Sequence, residues 1–223
     1  PDLFIDDDGK AYMFWGSSNV FPIRGIELDR NHRFLPKGEK KELFGLDLAN
    51  HGLGTIGENH VSDSDLGGFI EGPWMTKHNG KYYLQYGSPG TEFNVYGDGV
   101  YVADHPMGPY TYQKHNPVSY KPGGFMNGAG HGSSVLGPDS TYWHFASMSL
   151  SINVNWERRL CMFLWVLIMT VLCSVILVWR LSSLCSSRTR EKRRVPRLDV
   201  AFIQEACHSF FLCKRIYSCC LDR

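Results

Sequence analysis

No cysteine occurs before position 161 in this 223-residue chain. All seven come later, at Cys161, Cys173, Cys185, Cys207, Cys213, Cys219 and Cys220. Their spacings do not repeat as paired C-x-x-C units, which argues against a zinc site. The cysteine-free body is neutral about redox compartment, but it suits an exported bacterial protein, secreted or periplasmic. No Met opens the chain and no signal peptide is visible, so it reads as a fragment whose start is missing. Helical periodicity is absent before Leu160. Basic clusters are scarce in the body as well. From Cys161 onward there are ten Lys+Arg against four Asp+Glu, which leaves 13 basic and 18 acidic residues before it. A mildly acidic body without basic stripes excludes a nucleic-acid partner. A hydrophobic content of 43% with 20% charged residues excludes a disordered chain.

What the body does contain is Gly, Tyr, Phe and Trp, in short apolar runs broken by turn residues. That composition predicts an all-β fold. One unit recurs: an apolar strand, an Asx-containing turn, then an aromatic strand. The copies are "LFIDDDGKAYMFWGSS", "PWMTKHNGKYYLQYGS" and "SSVLGPDSTYWHFAS", with turns at Asp8-Gly9, Asn79-Gly80 and Asp139-Ser140. Asx-Gly between alternating strands is a strong hairpin signal. The intervals leave room for two more strands per copy, supplied first by "IRGIELDRNHRFL" and then by "DGVYVADHPMGPYTY". Four-stranded units repeated along a chain predict β-propeller blades, about three of them. A β-sandwich built from similar hairpins is the alternative.

The segment "GGFIEGPWMTKHNGKYYLQYG" places Glu71 between an apolar strand and Gly72-Pro73, beside Trp74. The Gly-Pro pair is expected to end the strand and turn the chain. Apolar surroundings raise a carboxylate's pKa, which suits a general acid. By spacing alone, a solvated loop carboxylate fits as well.

These residues, followed by "GDGVYVADHPMGPYTY", resemble the acid-bearing blade of family 43 of the glycoside hydrolases, five-bladed β-propellers acting on arabinose-, xylose- or galactose-containing polysaccharides. "PDLFIDDDGKAYMFWGSS" resembles the preceding blade and "NGAGHGSSVLGPDSTYWHFAS" the following one. The resemblance covers residues 1–163, a partial propeller. It implies an inverting glycosidase in which a base activates water, an acid protonates the leaving oxygen and an Asp tunes the acid. Glu71 takes the acid's place. The tuning Asp would stand immediately before Pro1 and the base in a still earlier blade. A chain without them is expected to lack useful hydrolytic activity. Asp2, Asp6, Asp7 and Asp8 are not assigned those roles, and Asp6 to Asp8 are expected to be solvated in the hairpin turn. The resemblance makes His131, in "GAGHGSS", the axial histidine, able to approach a metal through water. No cofactor is required, with a structural calcium ion on the axis the one candidate. Trp15, Trp74, Tyr96 and Trp156 are candidates to stack on sugar, and Arg158 to reach a sugar hydroxyl. Core packing and a surface ion pair are the competing readings. The partner is an oligo- or polysaccharide. A non-catalytic sugar-binding propeller is the second functional reading.

The run "LCMFLWVLIMTVLCSVILVW", residues 160–179, carries no charge and precedes a basic, Cys-rich segment. Roughly 20 apolar residues suffice for a membrane helix, and a basic flank suits a cytoplasmic face. A membrane partner follows only if this run is genuine, as in a single-span protein with a β-rich outer domain. Composition, however, changes abruptly where a further blade should begin. Back-translating Leu164 to Val178 and reading from the third base spells VGFDNDGVMFCNTR, a strand, an Asp-Gly turn and a further strand. Residues 164–223 are therefore expected to be a non-native, apolar and basic tail in a displaced reading frame.

Overall fold

Two residues with left-handed backbone, Asn79 (φ 47°) and Gly80 (φ 74°), close a two-residue hairpin. They join β6 (Ile70–His78) to β7 (Lys81–Ser88) in register from His78↔Lys81 to Trp74↔Gln85. Such turns match the twist of the paired strands, which is why Asn-Gly is favoured there. The computed structural model describes residues 1–61, 67–138, 140–150, 157–168 and 171–175.

The described strands form three antiparallel sheets. The first runs β1 (Asp2–Ile5), β2 (Ala11–Trp15), β4 (Ile23–Asp29), β5 (Leu35–Phe44). The short β3 (Ser17–Ser18) leaves it to pair with β6. The second sheet continues through β7 to β8 (Gly97–Ala103), which also pairs with β9 (Thr111–Tyr112) and β10 (Ser119–Tyr120). The third contains β11 (Met126–Leu136), β12 (Tyr142–Leu150), β13 (Arg158–Ile168) and β14 (Val171–Val175). Each sheet is thus built mainly from consecutive strands. Its first long strand faces the neighbouring sheet: β6 contacts both β1 and β11. This is blade packing in a partial β-propeller, not two sheets stacked as a sandwich.

Alternation explains the strand faces. In β2, Tyr12 and Phe14 point into the core, while Met13 lies on the opposite, exposed face. Tyr12, Phe14 and Ile23 meet Ile70, Met75, Leu84 and Tyr86 in one cluster joining the first two blades. Full burial of one such aliphatic or aromatic side chain contributes roughly 1.5–3 kcal/mol. A second cluster, Ala129, Ala146, Met148, Cys161 and Phe163, lies within the third blade.

Two expectations need correction. Gly72-Pro73 does not end its strand. It lies inside β6, where the register jumps between Glu71 and Trp74. A bulge suits Pro73, which has no N–H to give to the ladder. Nor is Asp6 solvated. It is buried, accepts from the Tyr82 hydroxyl at 2.6 Å and pairs with Lys77. Asp7 and Asp8 do face solvent.

In the apolar run, residues 160–168 and 171–175 belong to β13 and β14, which pair as a hairpin. No described helix is long and apolar enough to cross a membrane. The basic Cys-rich segment, Asp139 and Trp156 lie outside the described residues.

Candidate active site

Glu71 is the second residue of β6, held between Ser17 of β3 and Gly87 of β7. The bulge that follows turns on Gly72, whose φ of +57° disfavours any side chain. A Cβ there would also come within 2.7–2.9 Å of the His131 ring. Gly72 therefore serves twice: it shapes the bulge and admits a histidine from the next blade.

The carboxylate has two partners. The Tyr96 hydroxyl donates to Oε1 at 2.7 Å, and His131 Nδ1 lies 3.5 Å from Oε2. Tyr96 is buried just before β8, whereas half of the His131 side chain is exposed and 21% of Glu71's is. Carboxylate and imidazole thus form a close pair open to one side. Arg158, at the start of β13, adds positive charge that acts on both Glu71 and Tyr96.

The electrostatics depart from the apolar-pocket expectation. Burial pushes the Glu71 carboxyl up. Hydrogen bonds from His131 and Tyr96, with the charges of His131 and Arg158, more than offset it, so the net direction is downward from 4.5. His131 moves upward from 6.5, chiefly through its bond to Glu71, against burial. Burial also raises the Tyr96 phenol, which keeps it a donor. The expected desolvation is present, but it is outweighed by partners from other strands.

The remaining sequence candidates separate. Trp74 does not face the site; its indole N–H donates to the Ser134 carbonyl at 3.0 Å and joins β6 to β11. Trp15 ends β2, half-buried, two residues before the Ser17 that pairs with Glu71. Tyr96 reaches the site as a ligand of Glu71 and is too buried to be a stacking platform. Of the "ERR" ion-pair reading, Arg159 bonds Glu157, and Arg158 is the residue whose charge reaches Glu71.

Among the described residues no group of three or more His, Cys, Asp or Glu side chains gathers as a metal site. His131 also directs Nδ1 at Glu71.

Behind this pair lies a buried set that spacing did not reveal. Asp98 and His144 are fully buried and 2.9 Å apart, and the Gly132 amide donates to Asp98 at 3.1 Å. The one signal for it in the sequence is a charged residue, Asp98, opening the apolar strand "GDGVYVA".

The model of the family described as Glycosyl hydrolases family 43 matches residues 1–163. The chain belongs to that family. Among curated relatives, a "Xylosidase/arabinosidase" of Bacteroides ovatus is 47% identical over 134 residues, covering 51% of this chain and 38% of that protein. A "Beta-xylosidase" of Xylanibacter ruminicola is 30% identical over 131 residues, covering 51% and 39%. The chain spans less than half the length of these relatives. A crystal structure of a thermostable family-43 glycoside hydrolase superimposes with a TM-score of 0.63 at 20% identity, over 89% of this chain and 60% of that one. The fold is thereby that of the family-43 propeller.

Proposed function

We propose that this chain carries the general acid of an inverting glycosidase that cleaves xylose or arabinose linkages in plant-type polysaccharides, with Glu71 as the acid. The observation that carries the reading is a single half-buried carboxylate at the meeting of two blades, held by Tyr96 and His131 and open on one side. The family supplies the reaction class. The names of the Bacteroides ovatus and Xylanibacter ruminicola relatives supply the sugar class.

The Glu71–His131 pair shares a proton. In the resting site it resides on His131, and donation to a glycosidic oxygen requires it on Glu71. A bound sugar covers the open side and removes water. That strengthens the desolvation already pushing the Glu71 carboxyl up and favours the neutral, donating form. Glu71 O–H then protonates the leaving oxygen as the C–O bond breaks. In an inverting enzyme, water activated by a second carboxylate attacks the opposite face.

The test is leaving-group dependence in the natural gene product carrying these residues. Xylobiose and methyl arabinofuranoside need the acid; a dinitrophenyl xyloside does not. Glu71→Gln should lower kcat on the former by roughly 10²–10⁴-fold and on the latter by far less. Equal losses on both would end the acid assignment. Oligosaccharide binding without turnover, unchanged by Glu71→Gln, would instead establish the sugar-binding propeller.

A further inference from the structure

β11 loses its register between Gly130↔Ser147 and Ser133↔Phe145. The extra residue forms a bulge carrying His131, whose φ of 54° is left-handed, and Gly132. A non-glycine residue held there costs roughly 1–3 kcal/mol and persists only where its surroundings over-determine it. The surroundings are polar and buried. The Gly132 amide donates to both Asp98 oxygens at 3.1 and 3.3 Å, and its carbonyl accepts from the Gln85 amide. Both backbone groups of the bulge are therefore satisfied by side chains from the neighbouring blade. Asp98 also binds His144 Nε2 at 2.9 Å; a carboxylate only accepts, so Nε2 carries the proton. His144 Nδ1 lies 2.9 Å from the Ser134 hydroxyl, which is 3.2 Å from Gln85 Oε1.

This circuit of Asp98, His144, Ser134, Gln85 and Gly132 closes on itself inside the protein and does not touch the open side of Glu71. Its ends do reach Glu71. His131 is the residue before Gly132. Tyr96 lies two residues before Asp98, so the extended chain places both on one face. A Cβ on Gly132 would overlap Asp98 and the His144 ring, which shows how closely the bulge is clamped.

We propose that Asp98 and His144 are positioning residues for the acid: they fix the Gly130–Gly132 bulge and the Tyr96 segment, and so set both partners of Glu71. This rests on Glu71 being the acid. Neither residue touches substrate. Loss of the clamp should displace His131 and Tyr96 and impair proton donation while sugar binding stays intact.

The experiment uses the natural gene product and the same pair of substrate classes. Asp98→Ala should lower kcat on xylobiose by about 10- to 100-fold, the scale expected when a catalytic group is misplaced by about an ångström. KM should change by less than about threefold, and kcat on the dinitrophenyl xyloside should fall little, since no proton is needed there. Asp98→Asn keeps one oxygen, which in the Oδ2 position accepts from both the Gly132 amide and His144 Nε2–H, and should recover most of the loss. Equal losses on both substrates, or no recovery by Asp98→Asn, would overturn the proposal. If Asp98→Ala does not fold, Ser134→Ala decides: it should lower kcat on xylobiose alone by about 3- to 10-fold, as loss of one orienting hydrogen bond implies, and an unchanged rate would overturn the idea. Failure of leaving-group selectivity in Glu71→Gln itself sinks the acid reading. Selectivity in Glu71→Gln but not in the Asp98 variants sinks only the clamp.

Discussion

Two carboxylates in this molecule have nearly the same partners and different fates. Asp6 accepts from the Tyr82 hydroxyl at 2.6 Å and pairs with a cation, Lys77. Glu71 accepts from the Tyr96 hydroxyl at 2.7 Å and pairs with a cation, His131. In both, burial pushes the carboxyl up and the partners more than reverse it. The difference lies in the cation and in access. Lys77 holds its proton more firmly than usual, because Asp6, Asp7 and Tyr82 all bind it. His131 is raised above its ordinary 6.5 chiefly by its bond to Glu71, and its side chain is half exposed. A carboxylate facing lysine is a fixed tie between the first two blades. One facing histidine can exchange its proton. The same chemistry thus makes a staple in one place and, in the function proposed above, an acid in the other.

That comparison can be broken experimentally. The largest effect is expected from exchanging amides for acids. Glu71→Gln should remove roughly 10²–10⁴-fold of activity on poor leaving groups, whereas Asp6→Asn should change kcat by less than about threefold. Stability should show the reverse order. Asp6→Asn leaves Lys77 without its nearest partner and should cost about 1–3 kcal/mol in urea unfolding, while Glu71→Gln should cost less. If Asp6→Asn impairs turnover as severely as Glu71→Gln, the division between staple and acid is wrong.

A smaller effect separates the two sites by pH. Both carboxyls lie below their ordinary values of 3.8 and 4.5. Their stabilisation is complete above those values and is lost as pH falls through the depressed folded values. His131 is raised above 6.5, so its contribution is complete below that value and fades as pH rises through the folded one. A plot of unfolding free energy against pH should therefore decline above 6.5, and His131→Gln should flatten that decline and shrink Glu71's share of the acid limb while leaving Asp6's in place. An unchanged alkaline limb in His131→Gln would show that the ion pair does not form in solution.

The smallest effects belong to the phenols. Tyr96→Phe removes one donor from Glu71 and should move its carboxyl upward, shifting the alkaline limb of the kcat profile, which reports the general acid, to higher pH. Tyr82→Phe should leave that profile in place and lower only the unfolding free energy. A profile that moves equally in both variants would make the phenols' roles the same.

The blades were legible because a hairpin needs only local information. Asn79-Gly80 and the alternation of Tyr82, Leu84 and Tyr86 suffice to place two strands. Glu71 was legible through its neighbours in the chain and their resemblance to a family motif. Its surroundings were not. Tyr96 and His131 stand 25 and 60 residues further along the chain, and no periodicity reports on such distances. For the same reason Trp74 resembled a sugar platform until β11 was seen to take its indole N–H. Asp98 and His144 are harder still. Each looks like an ordinary polar residue at a strand position, and only the packing of two blades buries them together.

By itself the sequence determined an all-β chain of repeated hairpins and the family to which residues 1–163 belong. Turn chemistry and side-chain alternation act over a few residues, so they are written locally. The tertiary structure decided the partners of Glu71, the bulge reading of Gly72-Pro73 and the contrast between Asp6 and Glu71. Each depends on desolvation and on charges brought from other strands, and those exist only once the blades have packed.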